Sequence, residues 1–263
     1  GYGSANAVGV SAVGVFGGWG SGKTTLMRAI ERELAANSSV VTVWFSAWRY
    51  EREAHLIVPL IDVLREALDA RATANAGDGG AARRAAAAMG RAGEAFLAGL
   101  TLSAGLPGVM MTWEPHKVLE SLKSKTATGA EPLSFYHAGF NMLRDAIKDF
   151  SAGGARRIVV FIDDLDRCLP ANALDVLESM KLFFDVPGFV FVVGLDQAIV
   201  ERAVAFKYRG EPGRRDDELQ VTPVSGTDYV KKIFQVPFAL PSISTDLLQD
   251  YLRTVADNAG LEG

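Results

Sequence analysis

The stretch Gly17-Gly18-Trp19-Gly20-Ser21-Gly22-Lys23-Thr24 matches the pattern G-x-x-x-x-G-K-[ST], the glycine loop that wraps the phosphates of a nucleotide. The apolar, branched residues 12–16 precede it and predict a short buried strand. Apolar residues at helical spacing follow it and predict a helix over residues 24–36. Because the motif requires the order strand, loop and helix, the sequence predicts a nucleotide-binding domain.

Each residue type in this phosphate loop has a physical role. Glycines let the backbone curl so that N–H groups point at the phosphates, and the following helix presents its positive end to the same charge. Lys23 is placed to reach the β- and γ-phosphates, and the hydroxyl of Thr24 to ligate Mg²⁺. The candidate nucleotide-binding residues are Gly17, Gly18, Trp19, Gly20, Ser21, Gly22, Lys23, Thr24 and Thr25.

A second strand pattern ends in carboxylates. The apolar residues 158–162 run directly into Asp163 and Asp164, which is the Walker B arrangement. We expect Asp163 to hold the metal and Asp164 to orient or deprotonate the attacking water, since a hydrolase needs such a carboxylate. Asp166 and Arg167 either belong to the same site, or cap the next helix and pair with each other.

Three further runs predict strands. They cover residues 40–48, residues 189–196 and residues 231–241. Asp196, at the end of its run, either senses the γ-phosphate or caps the helix that follows. Helices are predicted over residues 55–70, 132–150, 197–206 and 246–259.

Two segments between the second and third strands have unusual composition. Alanine- and glycine-rich residues 74–88 predict a flexible linker that runs into a weak helix. Residues 95–113 are uncharged over a length that could cross a membrane, but glycines and a proline interrupt them. One crossing would put the halves of the nucleotide site on opposite sides of the membrane. We therefore expect a buried or interfacial segment, and membrane contact stays open as the alternative.

Composition narrows the functional classes. The chain has 263 residues, 49% of them hydrophobic, which suits one α/β domain with a substantial core. Its net charge of -4 argues against a generally basic surface for nucleic acid. Cys168 is the single cysteine, which excludes disulfides within the chain and favours the cytoplasm. The start at Gly1 and an incomplete helical pattern at the end suggest a fragment of a longer protein.

Four segments resemble the KAP family of P-loop NTPases: residues 18–25, 45–51, 162–168 and 232–238. The resemblance implies a three-layer α/β P-loop fold of the additional-strand, catalytic-glutamate (ASCE) type. Its parallel sheet would have the order 5-1-4-3-2, with a helical insertion between strands 2 and 3. We expect one domain over residues 1–263, with residues 74–131 as the insertion. ATP rather than GTP is implied, and the sequence has no Asn-Lys-x-Asp motif for guanine.

The resemblance also implies Mg²⁺-dependent ATP hydrolysis that drives a conformational or assembly switch. Bacterial members are associated with phage exclusion and related defence, and animal members with signalling scaffolds at membranes. Many carry transmembrane hairpins between the second and third strands. Expected partners are ATP, further copies of the chain and a protein of unknown identity, in the cytoplasm, with membrane association open.

Two other functions remain open. One is a nucleotide-gated scaffold with negligible turnover, and the other is a small-molecule kinase, against which the pair Asp163 and Asp164 counts. Hydrolysis would usually need an arginine finger to neutralise charge on the γ-phosphate. The candidates are Arg202, Arg209, Arg214 and Arg215, which act within the chain or on a neighbouring subunit.

Overall fold

Five strands form the sheet at the centre of the fold: β1 Ala12–Phe16, β2 Val40–Ser46, β3 Arg157–Asp163, β4 Phe189–Leu195 and β5 Val236–Ala239. They belong to a computed structural model that describes residues 11–53, 56–74, 79–103, 135–151, 155–181, 183–184, 186, 188–208, 226–241 and 245–258. The strands are hydrogen bonded in the order β2-β3-β4-β1-β5, and every neighbouring pair is parallel. Read from the other edge, this order is 5-1-4-3-2.

The register of the strands determines which residues meet at the carboxyl edge of the sheet. Ser46 at the end of β2 pairs with Asp163 at the end of β3. Phe16, the last residue of β1, pairs with Leu195 at the end of β4. In an open parallel sheet, ligands bind outside the carboxyl ends of the strands. The phosphate loop after β1 and the carboxylates after β3 therefore lie at the same edge.

Helices cover both faces of the sheet, as a parallel sheet requires. On one face, Met27 packs with Val15 and Phe161 in a small cluster, whereas a larger core fills the other face. Over the described residues the helices are α1 Lys23–Ala35, α2 Ile57–Ala74, α3 Gly79–Ser103, α4 Phe135–Ser151, α5 Pro170–Lys181, α6 Gln197–Tyr208, α7 Gly226–Ile233 and α8 Thr245–Asn258.

Two strand boundaries differ from the sequence prediction. The second strand ends at Ser46, and residues Ala47–Tyr50 form a 3-10 turn instead of its last residues. The fifth strand begins at Val236, because residues 231–233 complete α7. Tyr229, Val230 and Ile233 are buried at helical spacing, which explains why this apolar run folds as a helix.

The sequence predicts a linker that runs into a weak helix over residues 74–88, and residues 79–88 are helical. They begin α3, which packs between α2 and α4. Ala82, Ala85 and Ala86 are each buried. Small side chains let neighbouring helices approach closely, so the alanines form an interior face of this helix. Residues 75–78 lie outside the described part of the chain.

The uncharged residues 95–113 are only partly described. The structure places residues 95–103 in the last turns of α3, and residues 104–113 lie outside the described ranges. Among the described helices, none is long and apolar enough to span a membrane.

We expect Ala85→Leu to destabilise the protein by about 1–3 kcal/mol, because a larger side chain would overpack the contacts of α3 with its neighbouring helices. Ala87, which is exposed on the same helix, provides the matched control. Ala87→Leu should change the free energy of unfolding by less than about 0.5 kcal/mol. Urea denaturation of both variants measures the difference, and equal effects would contradict the packing described for α3.

Candidate functional site

The phosphate loop has the backbone shape that its glycines permit. Gly20 and Gly22 have φ angles of 78° and 92°, a left-handed conformation that strains other residues. A Cβ atom added at Gly18, Gly20 or Gly22 would meet nothing within 4 Å, so the inner side of the loop is open. Gly22 precedes α1 without a side-chain cap on the first turn. The N–H groups of that turn are therefore available to an anion.

Lys23 lies under this loop and is almost fully buried, with 7% of its surface exposed. Its Nζ donates hydrogen bonds to the carbonyl oxygens of Gly17 and Gly18, at 2.9 Å and 3.0 Å. It also forms an ion pair of 3.1 Å with Oδ2 of Asp166. Asp166 therefore belongs to the site and faces the phosphate loop.

The two carboxylates at the end of β3, Asp163 and Asp164, differ in their surroundings. Asp163 ends β3 and is 4% exposed. Asp164 follows with a φ angle of 60°, and it is the one described residue other than glycine in the left-handed region. Its Oδ2 accepts a hydrogen bond of 2.9 Å from Ser46 Oγ, and its Oδ1 forms an ion pair of 2.8 Å with Arg167 Nε. Arg167 therefore pairs with Asp164, not with Asp166.

Two adjoining cavities open at the carboxyl edge of the sheet. The first has a volume of about 290 Å³ and lies over the phosphate loop. The second, of about 450 Å³, lies beside the end of β2. Both are lined by Thr24, Asp163, Asp164 and Arg167. The first is also lined by Trp19, Gly20, Ser21, Gly22, Lys23, Thr25 and Asp166.

The structure thus brings most of the candidate residues together. Gly17 and Gly18 do not line the first cavity, but their carbonyl oxygens hold Lys23. Asp196 is not among the residues that line either cavity. Its Oδ1 accepts a hydrogen bond of 2.9 Å from the backbone N–H of Ala198, which caps α6. The described contacts of Asp196 therefore match the capping alternative.

The second cavity contains two residues, Arg28 and Trp44, to which the sequence pattern gave no role. The guanidinium carbon of Arg28 lies 3.4 Å from the centre of the Trp44 ring, and both side chains line the cavity. Ser46, Trp48 and Arg49 complete its polar and aromatic wall. The sequence contained one indication of this wall. Arg28 follows Thr24 by four residues, so both side chains lie on the same face of α1.

The donor atoms around the first cavity fit a magnesium nucleotide. Mg²⁺ binds hard oxygen ligands and usually keeps several waters beside one or two protein ligands and the phosphates. The hydroxyl of Thr24 and the carboxylate of Asp163 are such ligands. The Oγ of Ser21 is buried and has no hydrogen-bond partner among the described residues, so the loop retains an unused polar group. The described residues contain no cluster of three or more His, Cys, Asp or Glu side chains that would hold a metal alone.

The predicted arginine fingers lie mostly outside the described residues. Arg209, Arg214 and Arg215 are not described. Arg202 is exposed on α6, and its Nε donates a hydrogen bond of 3.2 Å to the carbonyl oxygen of Ala198 on its own helix. Neither cavity is lined by Arg202.

Cys168 follows the acidic segment after β3 and is buried. Its Sγ lies 3.6 Å from the backbone oxygen of Asp164. Burial, with smaller contributions from the carboxylates of Glu51, Asp164 and Asp166, raises the pKa of Cys168 to about 12. The thiol therefore stays protonated at neutral pH and is a packing residue, not a nucleophile.

Comparison with known proteins agrees with this geometry. A family model described as the KAP family P-loop domain matches residues 6–262 of the chain. The Phage T7 exclusion protein of Escherichia coli is 25% identical over 286 residues, which cover 94% of this chain and 32% of that protein. The Kinase D-interacting substrate of 220 kDa from Rattus norvegicus is 26% identical over 105 residues, which cover 40% of this chain and 6% of that protein.

A shorter match has a higher sequence identity. An uncharacterized protein of Methanocaldococcus jannaschii is 39% identical over 56 residues, which are 20% of this chain and 29% of that protein. The matched segments span at most about a third of the length of these relatives.

We expect the thiol of Cys168 to react with iodoacetamide at least about 100-fold more slowly than an exposed cysteine near pH 8.5, because its raised pKa keeps it protonated. Mass spectrometry of the alkylated chain over time gives the rate. The matched comparison is a double variant, Cys168→Ala with Ala87→Cys, which moves the thiol to an exposed position. Equal rates for the two proteins would contradict the burial described here.

Proposed function

This chain belongs to the KAP family of P-loop domains, and we propose that it binds ATP with Mg²⁺ and hydrolyses it to drive a conformational or assembly switch. One observation carries the proposal: the phosphate loop with Lys23 and the carboxylates of Asp163 and Asp164 line a single cavity. The strand order, with β4 between β1 and β3, supports an additional-strand P-loop fold. We treat residues 1–263 as one such domain, with residues 74–131 as its insertion.

Each residue has a role in this proposal. The loop N–H groups and Lys23 hold the phosphates, Thr24 and Asp163 hold Mg²⁺, and Asp164 orients the attacking water. Mg²⁺ supplies neutralisation of charge on the β- and γ-phosphates. Each oxygen of Asp164 has one described partner, Ser46 or Arg167, and keeps a lone pair that can accept a hydrogen bond from water. We expect a slow basal rate for the isolated chain, because the proposal takes the arginine finger from a neighbouring copy.

We expect phosphate release from Mg²⁺-ATP to rise per chain as the protein concentration increases, since self-association would supply a missing arginine in trans. Lys23→Ala should weaken ATP binding and lower turnover at least about 100-fold. Asp164→Asn should retain ATP binding but lose turnover. Asp145→Asn on α4 is the matched control, because it removes the same charge at an exposed position away from both cavities.

ATP binding without phosphate release at any concentration would favour the nucleotide-gated scaffold, or a further domain or partner that supplies the catalytic arginine. For the scaffold, Asp164→Asn would also leave behaviour nearly unchanged.

A phosphotransferase is the second candidate, and the larger cavity supports it. That cavity adjoins the phosphate loop through Thr24, Asp163 and Asp164, and it is lined by Arg28 and Arg49. A small acceptor bound there would face the γ-phosphate. With γ-labelled ATP and a mixture of small metabolites, a kinase would transfer the label to an acceptor and release little free phosphate.

We propose bacterial phage defence as the biological role, because the Escherichia coli relative is named as a phage T7 exclusion protein. A protein partner and location in the cytoplasm, with or without membrane contact, belong to the same proposal. Expression of the protein should lower the plating efficiency of a sensitive phage at least about tenfold, whereas the Lys23→Ala variant should give none of this protection. Equal plating efficiencies on cells that express the wild-type protein and on cells that express Lys23→Ala would argue against this role.

A further inference from the structure

The ammonium group of Lys23 is surrounded by three oxygen atoms. Its Nζ donates hydrogen bonds to the backbone oxygens of Gly17 and Gly18, at 2.9 Å and 3.0 Å, and forms an ion pair of 3.1 Å with the carboxylate of Asp166. A lysine ammonium carries a single positive charge and has no acceptor. A phosphate oxygen that approaches Lys23 therefore meets a cation that a carboxylate already engages.

The ion pair between Lys23 and Asp166 is shielded from solvent. The two side chains are each only 8% exposed, so water and salt screen their attraction weakly. Asp166 is held in place by its position in a 3-10 turn, Leu165–Arg167. Leu165 anchors the turn in the core, and Arg167 ties it to Asp164. The carboxylate is therefore presented to Lys23 by a fixed element, not by a mobile surface chain.

The three acceptors differ in how readily a phosphate displaces them. The two carbonyl groups belong to the phosphate loop itself and are neutral. Asp166 carries the same sign of charge as a phosphate, so the two repel each other when both lie at Lys23. The carboxylate is consequently the acceptor that an incoming phosphate removes.

We propose that Asp166 occupies the place of a phosphate oxygen at Lys23 and lowers the affinity of the site for phosphate-bearing ligands by competing with them. This inference rests on the proposed binding of ATP. Asp166 is then a positioning residue that sets nucleotide affinity through Lys23.

The test measures ATP binding to the full chain by equilibrium dialysis in EDTA, so that no metal contributes. Asp166→Asn should tighten binding about tenfold to hundredfold, the equivalent of one charged hydrogen bond that no longer competes. Asp166→Glu restores the carboxylate and should bind ATP within about threefold of wild type. Asp145→Asn removes the same charge at a side chain that is 73% exposed, and should change binding less than about twofold.

A comparison of ligands with and without phosphates distinguishes competition at Lys23 from a general change in the protein. ADP should share the gain shown by ATP in Asp166→Asn, whereas adenosine, which has no phosphate, should bind all variants alike. If Asp166→Asn is less stable because Lys23 has lost its counter-charge, ATP should still raise its melting temperature more than that of wild type.

The outcomes distinguish this inference from the proposed function. If wild type binds ATP and Asp166→Asn binds it equally or more weakly, Asp166 does not compete and the inference fails, while ATP binding stands. Equal gains for adenosine and ATP would overturn the inference as well. If neither protein binds ATP in EDTA, the inference fails, and the same dialysis repeated with Mg²⁺ decides whether the proposed function fails with it. Binding by Asp166→Asn alone would support the competition.

Discussion

The absence of a side chain at Gly194 is the constraint on which the site depends. A Cβ atom at this position of β4 would lie 2.7 Å from Met27 Sδ and 3.3 Å from Asp163 Oδ1. Met27 belongs to α1, the helix that begins at the phosphate loop, and Asp163 ends the neighbouring strand β3. Gly194 therefore leaves room for α1 and the carboxylate on the two sides of β4. Any side chain at this position would require Met27 and Asp163 to shift.

The three carboxylates at and just after the end of β3, Asp163, Asp164 and Asp166, have different partners. Among the described ion pairs, Asp164 is matched by Arg167 and Asp166 by Lys23, whereas Asp163 has no cationic side chain. A buried carboxylate without a counter-charge is costly, and a bound cation is the usual compensation. This difference supports Asp163 rather than its neighbours as the metal ligand. It also explains how three carboxylates can lie beside one cavity without strong mutual repulsion.

The sequence predicted what depends on local pattern and could not predict what depends on long-range contact. Continuous apolar runs identified β3 and β4 closely, because strands buried on both faces leave that signal. The alanine-rich residues 79–88 predicted only a weak helix after a linker, since composition does not reveal whether small side chains face solvent or another helix. The pairing of Asp166 with Lys23 links residues far apart in the chain, so no spacing rule could choose between its two alternatives. The same holds for Ser46 and Asp164.

The charges around the first cavity indicate that binding there is an exchange of partners. Its two described basic side chains, Lys23 and Arg167, are both already paired with carboxylates. An entering anion therefore competes with these carboxylates for Lys23 and Arg167. The net free energy of anion binding is smaller than two unpaired cations would provide. The two carboxylates lie close together in the chain, because Asp164 caps the 3-10 turn that contains Asp166, between β3 and α5. The ion pairs at Lys23 and at Arg167 therefore belong to one short segment, and a shift of that segment would affect both.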